Sequence, residues 1–166
     1  IDLLGFGESD QPGINEIGQI DNGLWCDQIT DFINEIIRPI NSNKVLLIGN
    51  SLGGLTALTC AVSIPEEISG IIVSPLPDKI KKISSDTILK PRYNILKIIS
   101  VKFFAILLPI EFILFLINRF GLINYFLQFA YFKKDNIDNA LLQMIKKPAK
   151  RSSAAKALRA MCVGMA

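Results

Sequence analysis

An unbroken apolar run, Val45-Leu46-Leu47-Ile48, stops abruptly in Gly49-Asn50-Ser51-Leu52-Gly53-Gly54 and gives way to a small-residue apolar stretch from Leu55 to Val62. An aliphatic run without alternation is the pattern of a strand buried on both faces, which belongs to a parallel sheet. A second such run, Ile68 to Val73, is closed by Ser74-Pro75-Leu76-Pro77. Ahead of both, Trp25, Ile29, Phe32, Ile33, Ile36 and Ile37 recur at helical spacing and predict a helix that stops near Pro39. Ile1 to Leu4 reads as the end of an earlier strand entering the turn-rich stretch Gly5 to Pro12. Strands alternating with helices in this order predict an α/β fold with a doubly wound parallel sheet.

The interruption between strand and helix carries the chemistry. Gly49-Asn50-Ser51-Leu52-Gly53 fits G-x-S-x-G in the strand-to-helix context which that pattern requires. A residue at the tip of so sharp a turn is held in a strained conformation that projects its side chain away from the sheet, and glycines at 49 and 53 are expected to avoid clashes there. Ser51 is the candidate nucleophile. The helix that starts behind it turns its unpaired N–H groups and positive dipole end toward whatever Ser51 attacks, so the backbone N–H of Leu52 is the candidate oxyanion donor. Loss of one such donor costs about 3 to 4 kcal/mol in a transition state. A phosphate-cradling loop competes for the same glycines, but no Lys follows the last Gly.

Asp2, Gly5-Phe6-Gly7, Ser9-Asp10, Pro12, Trp25, the Gly49–Gly54 elbow and Pro65 together resemble the α/β-hydrolase superfamily, in the branch that holds epoxide hydrolases and haloalkane dehalogenases. The elbow is most similar to that of pheophytinase-like serine hydrolases. The resemblance covers residues 1–78. It implies a partial α/β-hydrolase core at 1–78 with the nucleophile elbow, an inserted helical lid at 79–152, and a helix at 153–166 returning toward the core. It also implies Ser51 as nucleophile and Leu52 as oxyanion donor. Epoxide hydrolases and dehalogenases of this branch carry Asp at the nucleophile position, so a Ser there points to ester-like acyl transfer. The expected activity is a serine hydrolase, esterase-like, that cleaves a carboxylic ester of a lipophilic substrate through an acyl-enzyme. The alternative is a non-catalytic binding or membrane-surface protein of the same fold.

The chain of 166 residues contains no histidine. That removes the usual neutral-pH base, and a serine hydroxyl without one is a poor nucleophile. The chain therefore reads as a fragment, inactive alone, whose catalytic acid, His and second oxyanion donor lie outside it. Asp78 is a weaker candidate acid in a less common arrangement, whereas Asp2 and Asp10 are expected to fix the turn after the first strand by hydrogen bonds to backbone. Neither a metal nor a cofactor is expected. Cys26, Cys60 and Cys162 show no metal or disulfide spacing and read as thiols of a reducing compartment; with no signal peptide visible, the expected location is cytoplasmic.

Charge divides the chain. Residues 1–78 hold 2 basic and 11 acidic side chains, a net −9, whereas residues 79–166 hold 16 basic and 4 acidic, a net +12. The second half is also rich in apolar residues, with helices expected over 95–108, 110–120, 122–132, 139–145 and 153–163 around a basic linker at 146–151. Phe103, Phe104, Phe112, Phe115, Phe120, Phe126, Phe129 and Phe132 are expected either to line a greasy lid pocket or to pack lid helices on one another. The apolar run 98–117 approaches the length of a membrane span, but Lys102, Pro109 and Glu111 interrupt it and favour paired helices. Lys79, Lys81, Lys82, Lys146, Lys147, Lys150 and Arg151 suit peripheral contact with an anionic membrane surface. Nucleic acid is not expected as a partner, since the interleaved residues are aliphatic and no recognition motif is present.

Overall fold

The computed structural model describes residues 1–74, 107 and 109–165. The chain forms two compact units, one of Asp21–Leu96 and one of Ile1–Ile20 with Lys97–Ala166. This is a division by packing, whereas the limits expected at 78 and 152 divide the chain by role.

The Asp21–Leu96 unit begins with a helix whose first turn is capped by the Asp21 carboxylate, which accepts from the Leu24 N–H at 3.0 Å. The helix, α2 (Asn22–Phe32), follows a short α1 (Ile14–Ile17) of the other unit. Its apolar face buries Trp25, Cys26 and Ile29, and Ile33 continues that face into a π-helical turn, Ile33–Ile37, before Pro39. The Asn41 side chain then accepts from the Asn43 N–H at 2.9 Å, closing the turn that leads to the sheet.

Strands β1 (Val45–Asn50) and β2 (Ile68–Ser74) pair in parallel, with Leu46 opposite Gly70, Ile48 opposite Ile72 and Asn50 opposite Ser74. Helix α3 (Leu52–Ser63) connects them, the crossover that parallel pairing demands. It packs on both strands through a face of small residues, burying Gly54, Thr56, Ala57 and Cys60, and ends where the Ile64 N–H bonds the Cys60 carbonyl ahead of Pro65. An ion pair of Arg38 with Glu67 ties the end of the π turn to the residue before β2.

Two expectations for this sheet are corrected. β1 is not buried on both faces: its residues alternate, and Leu46, Ile48 and Ile72 of one face are more than half exposed, Ile48 by 74%. The reason is coverage, since a parallel sheet hides both faces only when helices lie on both. Ile1 to Leu4 is not a strand. It runs into hydrogen-bonded turns and, among the described residues, the sheet has two strands only.

The other unit is helical. Helices α4 (Ile110–Arg119), α5 (Leu122–Ala130), α6 (Asn139–Ala149) and α7 (Ala154–Gly164) are joined by Gly121, by a 3₁₀ turn at Lys134–Asn136 and by residues 150–153. The expected helix over 95–108 lies outside the described residues. Helix α6 runs further than the expected 139–145: the Lys146–Arg151 stretch read as a linker supplies its last turn, with Pro148 inside it. Proline removes one N–H near the end of a helix, and the Lys150 N–H still reaches the carbonyls of Lys146 and Lys147, so the turn holds. Helix α7 packs through Ala154, Ala157, Ala160 and Met161, and a bidentate pair of Arg159 with the Glu111 carboxylate (2.7 and 2.9 Å) clips α4 to it.

The glycine-rich loop of residues 5–11 is organised by Asp2, as expected: its carboxylate accepts from the Glu8 N–H at 2.8 Å and its carbonyl from the Ser9 hydroxyl at 2.7 Å. Asp10 takes part through its backbone, accepting from the Gly5 N–H. Gly5 and Gly7 have φ of 93° and 52°, which L side chains rarely adopt. Lys147 and Arg151 then grip the loop, both bonding the Glu8 carboxylate, with Arg151 also donating to the Ser9 carbonyl.

The bond and charge of Lys147, followed by Arg151, hold the Glu8 carboxyl below its usual range. A carboxylate whose pKa is lower in the folded than in the unfolded chain stabilises above about pH 4.3 and loses that contribution as pH falls through the folded value. The small Tm difference between wild type and Glu8→Gln is expected at neutral pH and vanishes in acid; a difference constant with pH would contradict the ion pair. Burial, followed by contact with Cys26, pushes the Cys60 thiol up to about 12. At pH 8 the half-buried Cys162 is expected to react with Ellman's reagent, with Cys26 and Cys60 reacting only on unfolding, as timed titration with and without urea would show.

Candidate active site

The ends of β1 and β2 and the start of α3 converge on Ser51. It is the N-cap of α3, with φ 53° and ψ −116°, and the only described residue other than glycine with positive φ. Its N–H donates to the Ser74 carbonyl at 2.9 Å, and its own carbonyl accepts from the Leu55 N–H at 3.1 Å. The backbone of Ser51 thus belongs to the sheet on one side and to the helix on the other, which fixes a conformation that a free chain would avoid. The side chain is exposed and makes no capping bond to the helix it precedes. That is unusual for a serine at an N-cap, where the hydroxyl normally bonds an N–H of the first turn.

Gly49 makes the turn possible. A Cβ there would collide with the backbone of Gly53 and lie 2.6 Å from the Gly54 nitrogen. Gly53, expected to serve in the same way, has nothing within 4 Å of where its Cβ would be. Its carbonyl, not its missing side chain, is what Gly49 must accommodate, so only the first glycine of the motif is required by packing on this side. Leu52 is the first residue of α3. The N–H groups of a helix's first turn, that of Leu52 among them, lack intrahelical acceptors.

Behind the turn, the Thr56 hydroxyl donates to the Leu52 carbonyl at 3.1 Å and approaches the Asn22 side-chain oxygen at 3.5 Å. Thr56 is buried, so this link braces the first turn of α3 against the start of α2. Nothing in the sequence singled out Asn22, because the pairing spans 34 residues and has no local signature. Asp78, the weaker candidate acid, lies outside the described residues. No group of three or more His, Cys, Asp or Glu among the described residues is placed to hold a metal ion.

The helical unit holds an apolar cavity of about 400 Å³, lined by the Gly5-Phe6-Gly7 loop and by aliphatic residues of α4, α6 and α7 that include Leu114, Leu141, Ile145, Leu158 and Met161. Among the described residues, Gln11 is the one polar side chain in its wall. That amide is already committed, donating to the Pro148 carbonyl at 3.1 Å and accepting from the Ser153 hydroxyl at 2.9 Å. Among the described residues, none of the phenylalanines expected to form such a pocket lines it. Phe112, Phe115, Phe120, Phe126, Phe129 and Phe132 are all more than half exposed, while Phe103 and Phe104 lie outside the described residues. Aliphatic side chains fill the inner stripe of each helix instead, and the rings occupy the outer one.

Residues 1–89 match the alpha/beta hydrolase fold family. Two curated relatives carry the name epoxide hydrolase 4. The mouse protein is 39% identical over 77 residues, 46% of this chain and 20% of its own length. The human protein is 33% identical over 125 residues, 75% of this chain and 32% of its own length. The chain therefore spans a third or less of the relatives it matches. No solved structure matches.

The strain at residue 51 is testable without any substrate. A positive φ costs a non-glycine residue on the order of 1 to 2 kcal/mol, which glycine escapes. Ser51→Gly is expected to unfold about 2 to 8 °C above Ser51→Ala in a thermal scan; equal midpoints would show that the turn relaxes in solution.

Proposed function

The chain belongs to the α/β-hydrolase fold family, and from that premise we propose that it is the nucleophile-bearing part of a serine hydrolase that cleaves carboxylic esters of lipophilic substrates. The observation that carries the reading is the exposed Ser51 side chain on a backbone strained at φ 53°, directly ahead of the first turn of α3. Strain of this kind persists where the surrounding structure over-determines it, and such places are often functional.

In this mechanism the Ser51 Oγ attacks the ester carbonyl carbon while a base takes its proton. The carbonyl oxygen becomes an oxyanion facing the Leu52 N–H, collapse expels the alcohol, and water then hydrolyses the acyl-enzyme. The base is supplied by the remainder of the protein, as this chain contains no histidine. A lipophilic substrate is in keeping with the predominance of apolar residues over 95–132.

The names of the mouse and human relatives suggest epoxides as an alternative substrate. The chemistry of residue 51 argues against transferring that activity. A carboxylate that opens an epoxide forms an ester, which water can cleave, whereas a serine alkoxide would form an ether and end the cycle after one turnover. A carboxylate would be needed at position 51, and a hydroxyl stands there.

A fluorophosphonate probe applied to the full-length protein tests the proposal. Labelling is expected on Ser51, is lost in Ser51→Ala, and is accompanied by a fall of about 10⁴-fold or more in kcat on a long-chain p-nitrophenyl ester. Absence of labelling in the wild type would favour the non-catalytic binding protein, and labelling that survives in Ser51→Ala would place the nucleophile elsewhere.

A further inference from the structure

We propose that the outer face of the α4–α5 pair docks on an anionic lipid bilayer, lying at the interface without crossing it. On α4, Phe112 and Phe115 are one turn apart, stack at 6.5 Å between ring centroids and are both more than half exposed. On α5, Tyr125 packs edge-on against Phe129 at 4.9 Å and against Phe126 at 6.1 Å, again on an exposed face. Phe132, immediately beyond α5, is 99% exposed. Six exposed aromatic rings fall within this one short stretch, and none of them lines the cavity of that unit, more exposed aromatic side chains than a solvated face favours.

The inner faces are already used. Ile110 and Ile123 are buried and the Glu111–Arg159 pair fixes α4 against α7, so the rings are held outward rather than being free to turn in. The two helices are apolar enough together to suggest a span, but they bend by 87° at the left-handed Gly121. Each is 9 or 10 residues long, about half of what a crossing requires. Short amphipathic helices with aromatic faces lie in the headgroup region, where Phe and Tyr bury their rings and keep polar neighbours wet.

Charge selects the partner. Arg119 follows Phe112 and Phe115 along the same stripe of α4, and Lys133 and Lys134 follow Phe132; all three basic residues are exposed, and Asp135 is the acidic neighbour next in sequence. The whole stretch 79–166 carries a net +12. A second copy of this chain docked through the same face would bring two such stretches together and repel, whereas anionic lipid is drawn to each lysine and arginine near its surface. Of the bases expected to meet a membrane, Lys147 and Arg151 are paired with Glu8, so the surface argued here rests on Arg119, Lys133 and Lys134 instead. It does not depend on the chemistry proposed for Ser51.

Flotation of the full-length protein with phosphatidylcholine vesicles, alone or containing about one-third phosphatidylserine, tests the docking. Wild type is expected to partition more strongly onto the anionic vesicles, with salt weakening the preference. Phe126→Ser/Phe129→Ser should lower partitioning onto the anionic vesicles about tenfold with circular dichroism unchanged, and Lys133→Gln/Lys134→Gln should reduce the preference for anionic vesicles. Should the serine variant misfold, Phe129→Trp decides, its fluorescence being quenched by lipids brominated along the acyl chain. Wild type that floats with neither vesicle, serine variants that bind as wild type does, or an unquenched Phe129→Trp would each overturn the proposal. So would a serine variant that only converts dimer to monomer in sedimentation, because the face would then belong to a second copy.

Discussion

The approach of the Gly49 α-carbon to the backbone of Gly53 and Gly54 sets the geometry on which the rest of the sheet unit is arranged. With room for a hydrogen there and for nothing larger, α3 can begin one residue after β1 ends. That brevity forces the positive φ at Ser51, and the bond from its N–H to the Ser74 carbonyl ties the tip to the neighbouring strand. The strain is offset by the parallel pairing of β1 with β2 and by the small-residue packing of α3 on both strands. What results is a hydroxyl in solvent beside the N-terminal amides of a helix, a combination that follows from backbone sterics before any chemistry is invoked.

The helical unit relies on a different kind of constraint. Its N-terminal loop is held by polar groups drawn from far along the chain: Lys147 and Arg151 on Glu8, Pro148 and Ser153 on Gln11. Exposed ion pairs of this sort contribute little each, so the part of the lock that matters most for stability is the part-buried Gln11 amide, whose loss would leave a carbonyl and a hydroxyl without their partner. The loop so fixed forms one wall of the aliphatic cavity. Basic residues that look, in sequence, like a charged linker serve partly as structural ties.

The division of apolar residues in that unit is equally physical. Branched and linear aliphatic side chains fill the inner stripes of α4, α6 and α7, and the aromatic rings of α4 and α5 occupy the outer stripes. A composition this rich in apolar residues, half of the chain, leaves more hydrocarbon than one small core can hide. The exposed faces of β1 and β2, with Leu46, Ile48 and Ile72, and of α4 and α5 are where the surplus lies. The helical face carries Arg119, Lys133 and Lys134 along and beside its rings, which is why its partner can be named by charge.

Much of the sheet unit was legible in the sequence because its determinants are local. Two aliphatic runs, a serine in a glycine-rich turn between strand and helix, a helix around Trp25 and a proline after each helix are read from neighbours within a few residues, and the family followed from them. The reading of β1 as covered on both faces was wrong because an aliphatic run records what a strand can bury, not which helices are there to bury it. The strand expected at Ile1–Leu4 was wrong for a related reason, as an extended apolar segment becomes a strand only beside a partner. The role of Asn22 and the outward turn of the phenylalanines were decided by contacts between residues dozens of positions apart. Spacing along a helix says that two rings share a stripe, and only packing says whether that stripe faces in or out. The sequence by itself thus determined the strained turn at Ser51, since its causes are the sterics of adjacent residues. The tertiary structure decided which apolar surfaces are hidden, since burial depends on partners that no local pattern names.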